Sequence, residues 1–334
     1  MTKDDSITQK VKDMYKKYPY PSPSTDVSQT NELLNLLRIF ELESEIKLEN
    51  KSIFDAGSGS GHRITNVAQY FMKSNFLGID ISEKSLSIAK KLKKFKKLKN
   101  IEFKKYNIMN GVKTLGKFDI VLCMGVLHHL SNPTKGLQML TKTMKNDGVI
   151  FLYLYGKLGG HKRMLNKEII SILLNKKKSN YDLGIKLVRD LDLNEFDYGW
   201  NLNFKNKKEE DALIVDSLLH ANEFLYDCND IDKLFKKSNL YGYAIFGITA
   251  GTKGYLFDTS VINDKKMSIP QTNIVEKLKT KRSISHYKLL NLKDKFRIID
   301  LIYEPNGYTI IGLTKDAYDK LSNKRIKRNF IKIK

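Results

Sequence analysis

The apolar pair Ile53-Phe54 runs directly into Asp55-Ala56-Gly57-Ser58-Gly59-Ser60-Gly61, and this junction constrains the fold more than any other stretch of the chain. Three alternating glycines after a strand leave no side chains between the turn and a ligand. The backbone can then bend sharply and bring its N–H groups close to a bound molecule. The spacing is selective. A dinucleotide fingerprint, G-x-G-x-x-G, needs its third glycine at position 62, where this chain has His62, which disfavours a nicotinamide oxidoreductase. A second apolar segment, Phe76-Leu77-Gly78-Ile79-Asp80, ends in an acid 19 positions past Gly61. Between them Ile64, Val67, Ala68 and Phe71 recur at the i, i+3, i+4, i+7 spacing of a helix face. Strand, glycine turn, helix, strand and acid make a βαβ unit whose terminal carboxylate can accept hydrogen bonds from both hydroxyls of a ribose.

Three further strands are expected. Ile101-Glu102-Phe103 is the third, and Phe118 to Met124 the fourth, a nearly continuous apolar run that suits a strand covered on both faces. Asn132 and Pro133 then read as N-cap and first residue of a helix. Leu137, Leu140 and Met144 form its apolar face and Asp147-Gly148 its stop, before a fifth strand over Val149–Tyr155. Five strands joined by helical crossovers predict a doubly wound, mostly parallel α/β sheet.

The acidic-x-G-x-G-x-G pattern at 55–61 resembles motif I of the class I, Rossmann-like S-adenosylmethionine (SAM) methyltransferases. Gly125-Val126-Leu127-His128-His129-Leu130 looks like the segment that follows strand four in many of them. The resemblance runs over about 51–157 and resumes near 229–247. It implies a seven-stranded sheet, SAM as cofactor, and Asp55, Gly57, Ser58, Gly59, Gly61, Asp80, Ile81, Asn107, Ile108 and Met124 around it. Asn107 departs from the Asp that these enzymes commonly place against the adenine amino group, but its side-chain carbonyl can accept the same bond. A tyrosine- and proline-rich opening like Tyr18-Pro19-Tyr20-Pro21-Ser22-Pro23 is similar to that of a bacterial group of these enzymes with poorly assigned substrates.

Three segments decorate this core. Residues 1–50 carry the stiff aromatic ribbon, either a lid over the pocket or a packed linker, followed by a helical pattern through Leu33, Leu34, Leu37 and Phe40. Residues 158–228 form a helical insertion past strand five, with Trp200 and His220. Insertions at the carboxyl ends of strands lie over the crevice of an open α/β sheet, so this one is expected to cap the substrate. Residues 229–334 finish the core with a helix at 230–235, a sixth strand at Tyr241–Phe246 and an antiparallel seventh at Tyr308–Leu313, and a mainly helical excursion over about 250–305. A separate small C-terminal module is the alternative.

The net charge of +22 invites a nucleic-acid partner, but 51 of the 59 basic residues are Lys. RNA readers favour the planar, stacking Arg side chain, and Lys, Asn and Ile share A/T-rich codons. The Lys-rich stretches at 90–99, 175–178 and 324–334 therefore read as solvated faces and a tail. Two cysteines, Cys123 and Cys228, offer neither a disulfide framework nor a metal cluster. The start of the chain lacks a signal-peptide core and no apolar run approaches a membrane span, so a soluble cytoplasmic setting is expected.

The chemistry follows from the donor. Methyl transfer from a sulfonium needs an aligned, desolvated nucleophile, and a hydroxyl nucleophile also needs a base, for which a neutral imidazole is suited. His128 and His129, just past strand four, are the candidates for catalysis; Tyr20, Tyr155 and His220 reach the substrate if their segments fold over it. There is no Asp/Asn-Pro-Pro-Tyr or Pro-Cys pair for base methylation, and His62, His161 and His220 are too dispersed in sequence to indicate a metal. The expected activity is transfer to O or N of an enclosed small molecule. An RNA or protein acceptor, or a SAM-binding regulator without turnover, are the alternatives.

Overall fold

The computed structural model describes residues 3–20, 27–175, 180–193, 206–261, 269–322 and 325–333. Pro21, Ser22 and Pro23 of the aromatic ribbon, Trp200, Lys176–Lys178 and Lys324 lie outside them. The strands are β1 Ser52–Ala56, β2 Asn75–Asp80, β3 Ile101–Lys105, β4 Phe118–Met124, β5 Met144–Tyr155, β6 Gly242–Ala250, β7 Lys253–Leu256, β8 Gly307–Leu313 and β9 Phe330–Lys332. They form one sheet in the order β3-β2-β1-β4-β5-β8-β6-β7, with β9 also paired to β6. β1 to β5 run parallel, and β8 inserts antiparallel between β5 and β6. Among the described residues the sheet thus carries nine strands rather than seven: β7 and β9 are short pairings added to β6 beyond the core order.

Helices α1 (Lys3–Lys17), α2 (Val27–Ser44), α3 (His62–Tyr70), α4 (Glu83–Phe95) and α5 (Pro133–Thr141) precede or cross over the parallel strands. Next come α6 (His161–Leu173), α7 (Tyr181–Asp190), α8 (Lys207–Leu218) and α9 (Cys228–Lys236). Between β7 and β8 lie α10 (Ile274–Leu278), α11 (Lys281–Leu289) and α12 (Leu292–Tyr303), and α13 (Lys315–Asp319) and α14 (Arg325–Arg328) close the chain. Alternation along the strands sends side chains to two cores. Ile53, Ile120, Leu122 and Phe151 pack toward α2 and α3, whereas Phe54, Val121, Cys123 and Leu152 pack toward α5, α9 and α12. A third core of Ile170, Leu174, Ile185, Val188, Ile214, Val215 and Leu218 holds α6, α7 and α8 together and takes in Met14 of α1.

Two boundaries differ from the expectation. α5 starts as read, with the Asn132 side chain accepting from the Lys135 N–H at 3.0 Å, but ends at Thr141. Met144 already pairs with Phe118, and Asp147-Gly148 lie in the irregular stretch before Val149 joins Ile120; the turn residues bulge a strand instead of stopping a helix. The sixth strand is also longer, reaching Ala250, because β8 and β7 pair along its second half.

Neighbouring strands diverge at β1 and β4, where the connections leave in opposite directions along the sheet. In an open α/β sheet that switch point, at the carboxyl ends of the strands, is where a crevice forms. The glycine turn after β1 and the His128-His129 turn after β4 both lie there.

Candidate functional site

Each glycine of the 57–61 turn has a different task. Gly57 has φ +95°, and a Cβ there would overlap the Val126 Cγ2 methyl and lie 2.9 Å from Cγ1. Gly59 has φ +54° and donates its N–H to Asp80 Oδ2 at 2.9 Å, tying the turn to the tip of β2. Gly61, φ +76°, caps α3 against Ala89 and Phe103, so its bareness serves helix packing. Asp80 Oδ1 accepts from the Ser82 N–H at 2.8 Å. Burial raises the Asp80 carboxyl while the N–H groups of Ser82, Gly59 and Ile81 oppose the rise. Both oxygens are oriented, and the carboxylate retains acceptor capacity for a further donor.

A single cavity joins this turn to the decorating segments. Gly57, Ser58, Gly59, Asp80, Ile81, Asn107, Ile108 and Met124 line it on the core side, and Tyr20, Tyr155 and His129 on the other. Asp55, Gly61, His128 and His220 are not in its wall. Asp55 is buried in β1, and burial pushes its carboxyl up to about 7, with Arg63 opposing and Asp80 reinforcing the shift. Its folded pKa therefore exceeds the ordinary value of about 4, so the stability linked to its proton is present at acid pH and disappears as pH rises toward about 7. Asp55→Asn is expected to remove that decline: the difference in melting temperature between variant and wild type, followed from pH 4 to 8, should grow in favour of the variant.

His128 is fully buried behind the wall, its ring 4.0 Å between centroids from that of Tyr155. Neither ring nitrogen has a hydrogen-bond partner among the described residues. Burial holds it neutral, well below the ordinary imidazole range. His129 faces the cavity. Its Nδ1 lies 2.9 Å from the Asn222 carbonyl, which can only accept, so Nδ1 carries the proton and Nε2 the lone pair. Asn222 also sends its N–H to His220 Nδ1 at 3.1 Å and its side-chain amide to the carbonyls of His129 and Leu130. One residue of the cap thus fixes both tautomers and the turn after β4. The two imidazoles stack with centroids 3.7 Å apart.

The proton on His220 Nε2 points to Tyr15 Oη, 3.3 Å away, and Tyr15 donates to Asp216 Oδ1 at 2.8 Å. Tyr15 comes from α1 and Asp216 from α8, and both line the cavity. His129, Asp216 and His220 place one donor atom each within 4.8 Å of one another, although they are scattered in sequence. The hydrogen bonds speak against a shared cation. With Nδ1 accepting from Asn222, His220 presents an N–H, not a lone pair, toward its neighbours, and a metal ligand must be bare at the donor nitrogen. On α6, Arg163 and Lys167 both pair with the buried Glu223, at 2.6 and 2.8 Å. Arg163 also lies 5.2 Å from the Tyr155 ring centroid and lines the cavity.

Tyr15, Asp216, Arg63 and Arg163 are lining residues that the sequence reading did not single out. Val11, Met14 and Tyr15 do stand at i, i+3, i+4, a signal for the helix that brings Tyr15 inward. Asp216 carries none: α8 is buried from Ala212 through Leu218 and has no polar face to reveal which side is which.

The strand order, the switch-point crevice and the glycine turn anchored to an acidic strand tip define a class I, Rossmann-like domain. Residues 47–186 match the family model described as a methyltransferase domain, and the cofactor expected for such a domain is SAM. An uncharacterised protein of a Synechococcus strain is 24% identical over 250 residues, 71% of this chain and 59% of its own length. The ubiquinone biosynthesis O-methyltransferase of Dechloromonas aromatica is 30% identical over 120 residues, 36% of this chain and 50% of its own. PKMT2 of Rickettsia typhi in complex with AdoHcy superposes with a TM-score of 0.56 at 19% identity, covering 90% of this chain and 57% of that one. The chain spans about half the length of the curated relatives it matches.

The residues suit that cofactor. The turn at Gly57 is a cradle that a Cβ would fill, and Asp80 has acceptor capacity left at the tip of β2. No described helix is long and apolar enough to cross a membrane.

Proposed function

We propose that the protein transfers the methyl group of SAM to an oxygen or nitrogen of a small molecule enclosed between the core and the cap. One observation carries this reading: the glycine turn and the tip of β2 share a cavity with side chains of α1, α6 and α8. An acceptor held there lies beside the cofactor pocket and away from bulk water, as in-line displacement requires. In this reading Gly57, Ser58, Gly59, Asp80, Ile81, Asn107, Ile108 and Met124 hold SAM, while Tyr20, Tyr155 and His129 face the acceptor. Asp55 and Gly61 act one step back, by packing. When bound, SAM supplies a methyl group activated by an adjacent sulfonium.

His129 is assigned to orienting the acceptor. Burial first, then Lys167 and Arg163, keep its imidazole down at about 4 against the pull of Glu223 and the Asn222 carbonyl, so the ring is a neutral acceptor at physiological pH. His128 supports Tyr155 from behind, and His220 supports His129 by stacking. His129→Ala should leave SAM affinity unchanged by calorimetry and lower transfer by about 10- to 100-fold, a loss of alignment; wild-type transfer would remove His129 from the mechanism.

The deciding experiment is incubation of the full chain with methyl-labelled SAM and an extract of its host, followed by fractionation of the label. Label in the low-molecular-weight fraction is the expected result. Label in RNA or protein would overturn the enclosed-acceptor reading. SAM binding with no labelled product would indicate a sensor that does not turn over.

A further inference from the structure

Asp216 of α8 is a buried carboxylate, 4% exposed. Its Oδ1 is engaged by the Tyr15 hydroxyl, while Oδ2 has no hydrogen-bond partner among the described residues, and the side chain lines the cavity. A carboxylate that lines the cavity with one oxygen not engaged by the protein is open to a donor on a bound ligand. We infer that Asp216 takes the proton from the methyl acceptor and that Tyr15 holds it in place for this, so the acceptor atom bears a hydrogen, as a hydroxyl or an amine does.

This rests on the transferase reading and narrows its substrate class. The acceptor donates its X–H to Asp216 Oδ2. As the lone pair of X forms the bond to the methyl carbon, the carbon–sulfur bond breaks with its electrons going to sulfur. The proton passes to Oδ2, and the X–H pair stays on X. Asp216 ends as a neutral carboxylic acid, still accepting from Tyr15 through Oδ1.

The surroundings favour Asp216 over His129 for this task. An imidazolium at His129 would sit against Arg163 and Lys167 and stack on His220, all of which disfavour a further positive charge there. A carboxylate gains neutrality on taking the proton. The charged and titratable groups facing Asp216 are Tyr15 of α1, Arg163 and Lys167 of α6, His129 after β4, and His220 and Glu223 after α8. Burial lifts its carboxyl to about 6, the Tyr15 hydrogen bond and the two cations lower it, and Glu223 raises it. A base with a pKa near the working pH is the effective kind. Tyr15 is itself held protonated, raised well above its usual range by burial and then by Asp216, so it remains a donor.

The test uses the full chain, methyl-labelled SAM and the low-molecular-weight fraction of a host extract. Asp216→Asn preserves shape and the Tyr15 contact but cannot take a proton. Its kcat should fall by about 100-fold or more, with SAM affinity by calorimetry unchanged. Tyr15→Phe removes a bond that stabilises the carboxylate, so the acid limb of its kcat–pH profile should move to higher pH. A readout free of turnover runs beside these, the carboxyl ¹³C resonance of Asp216, identified by its loss in Asp216→Asn. It should titrate near 6 in wild type and higher in Tyr15→Phe. An active Asp216→Asn variant, or a carboxyl that titrates near 4 as an exposed Asp does, would overturn the inference. A wild-type protein that transfers no label anywhere would overturn the transferase reading, and the inference with it.

Discussion

Gly57→Ala should weaken SAM binding by about 100-fold, roughly 2.7 kcal/mol, while leaving the protein folded. The effect has two parts. Position 57 holds φ at +95°, where an L-residue with a Cβ is strained by about 1–2 kcal/mol. The added methyl must also displace Val126, whose two γ-carbons stand in its path; overpacking of that kind costs about 1–3 kcal/mol. Any shift of the turn that relieves them also moves the Gly57 and Ser58 N–H groups, both now donating to the Ile79 carbonyl at 2.9 Å. Calorimetric titration with SAM checks the loss. Adding Val126→Ala separates the parts: it should restore the steric share and leave the backbone share. Unchanged affinity in Gly57→Ala would remove the turn from the cofactor site.

The parallel half of the sheet was legible in the sequence because a strand buried on both faces advertises itself. Phe118 to Met124 is almost uninterrupted apolar sequence, and β4 has those bounds. The turn at 57–61 was legible for a similar reason, since alternating glycines have few uses other than close approach. Local signals failed where pairing partners decide. Asp147-Gly148 has the composition of a helix stop, yet the antiparallel contact of β5 with β8 and the parallel one with β4 claim the residues on both sides. The division of labour within the site was illegible for a deeper reason. His129, Tyr15, Asp216, His220 and Asn222 come from α1, the turn after β4 and the end of the cap. Nothing in their local sequence encodes that meeting, and of the two adjacent histidines only the fold distinguishes the one facing the cavity from the one behind it.

The cap that makes this meeting possible depends on Glu223, and Glu223→Gln should be among the most damaging single changes to it. The carboxylate is 1% exposed and accepts from Arg163 at 12% and Lys167 at 10%. Removing its charge takes away the carboxylate to which both nearly buried cations donate, and breaking a buried pair in that way costs about 3–5 kcal/mol. The loss should appear first as accelerated hydrogen exchange in α6 and α8, whose packing the trio supports, and then as a lower melting temperature. Function should suffer as well, because Arg163 also donates to the Ser217 carbonyl at 2.8 Å, next to Asp216, and lies near the Tyr155 ring. The pH dependence has a definite sign. Burial alone would raise the Glu223 carboxyl, but Lys167 and Arg163 outweigh it and hold it at about 2, below an ordinary Glu near 4.3. A depressed folded pKa means that the stabilisation is complete above about 4.3 and is lost as pH falls toward about 2. Melting curves of wild type and Glu223→Gln should therefore lie far apart at pH 7 and converge below pH 4. Parallel curves across that range would mean that the three charges are solvated and that apolar contacts alone hold the cap in place.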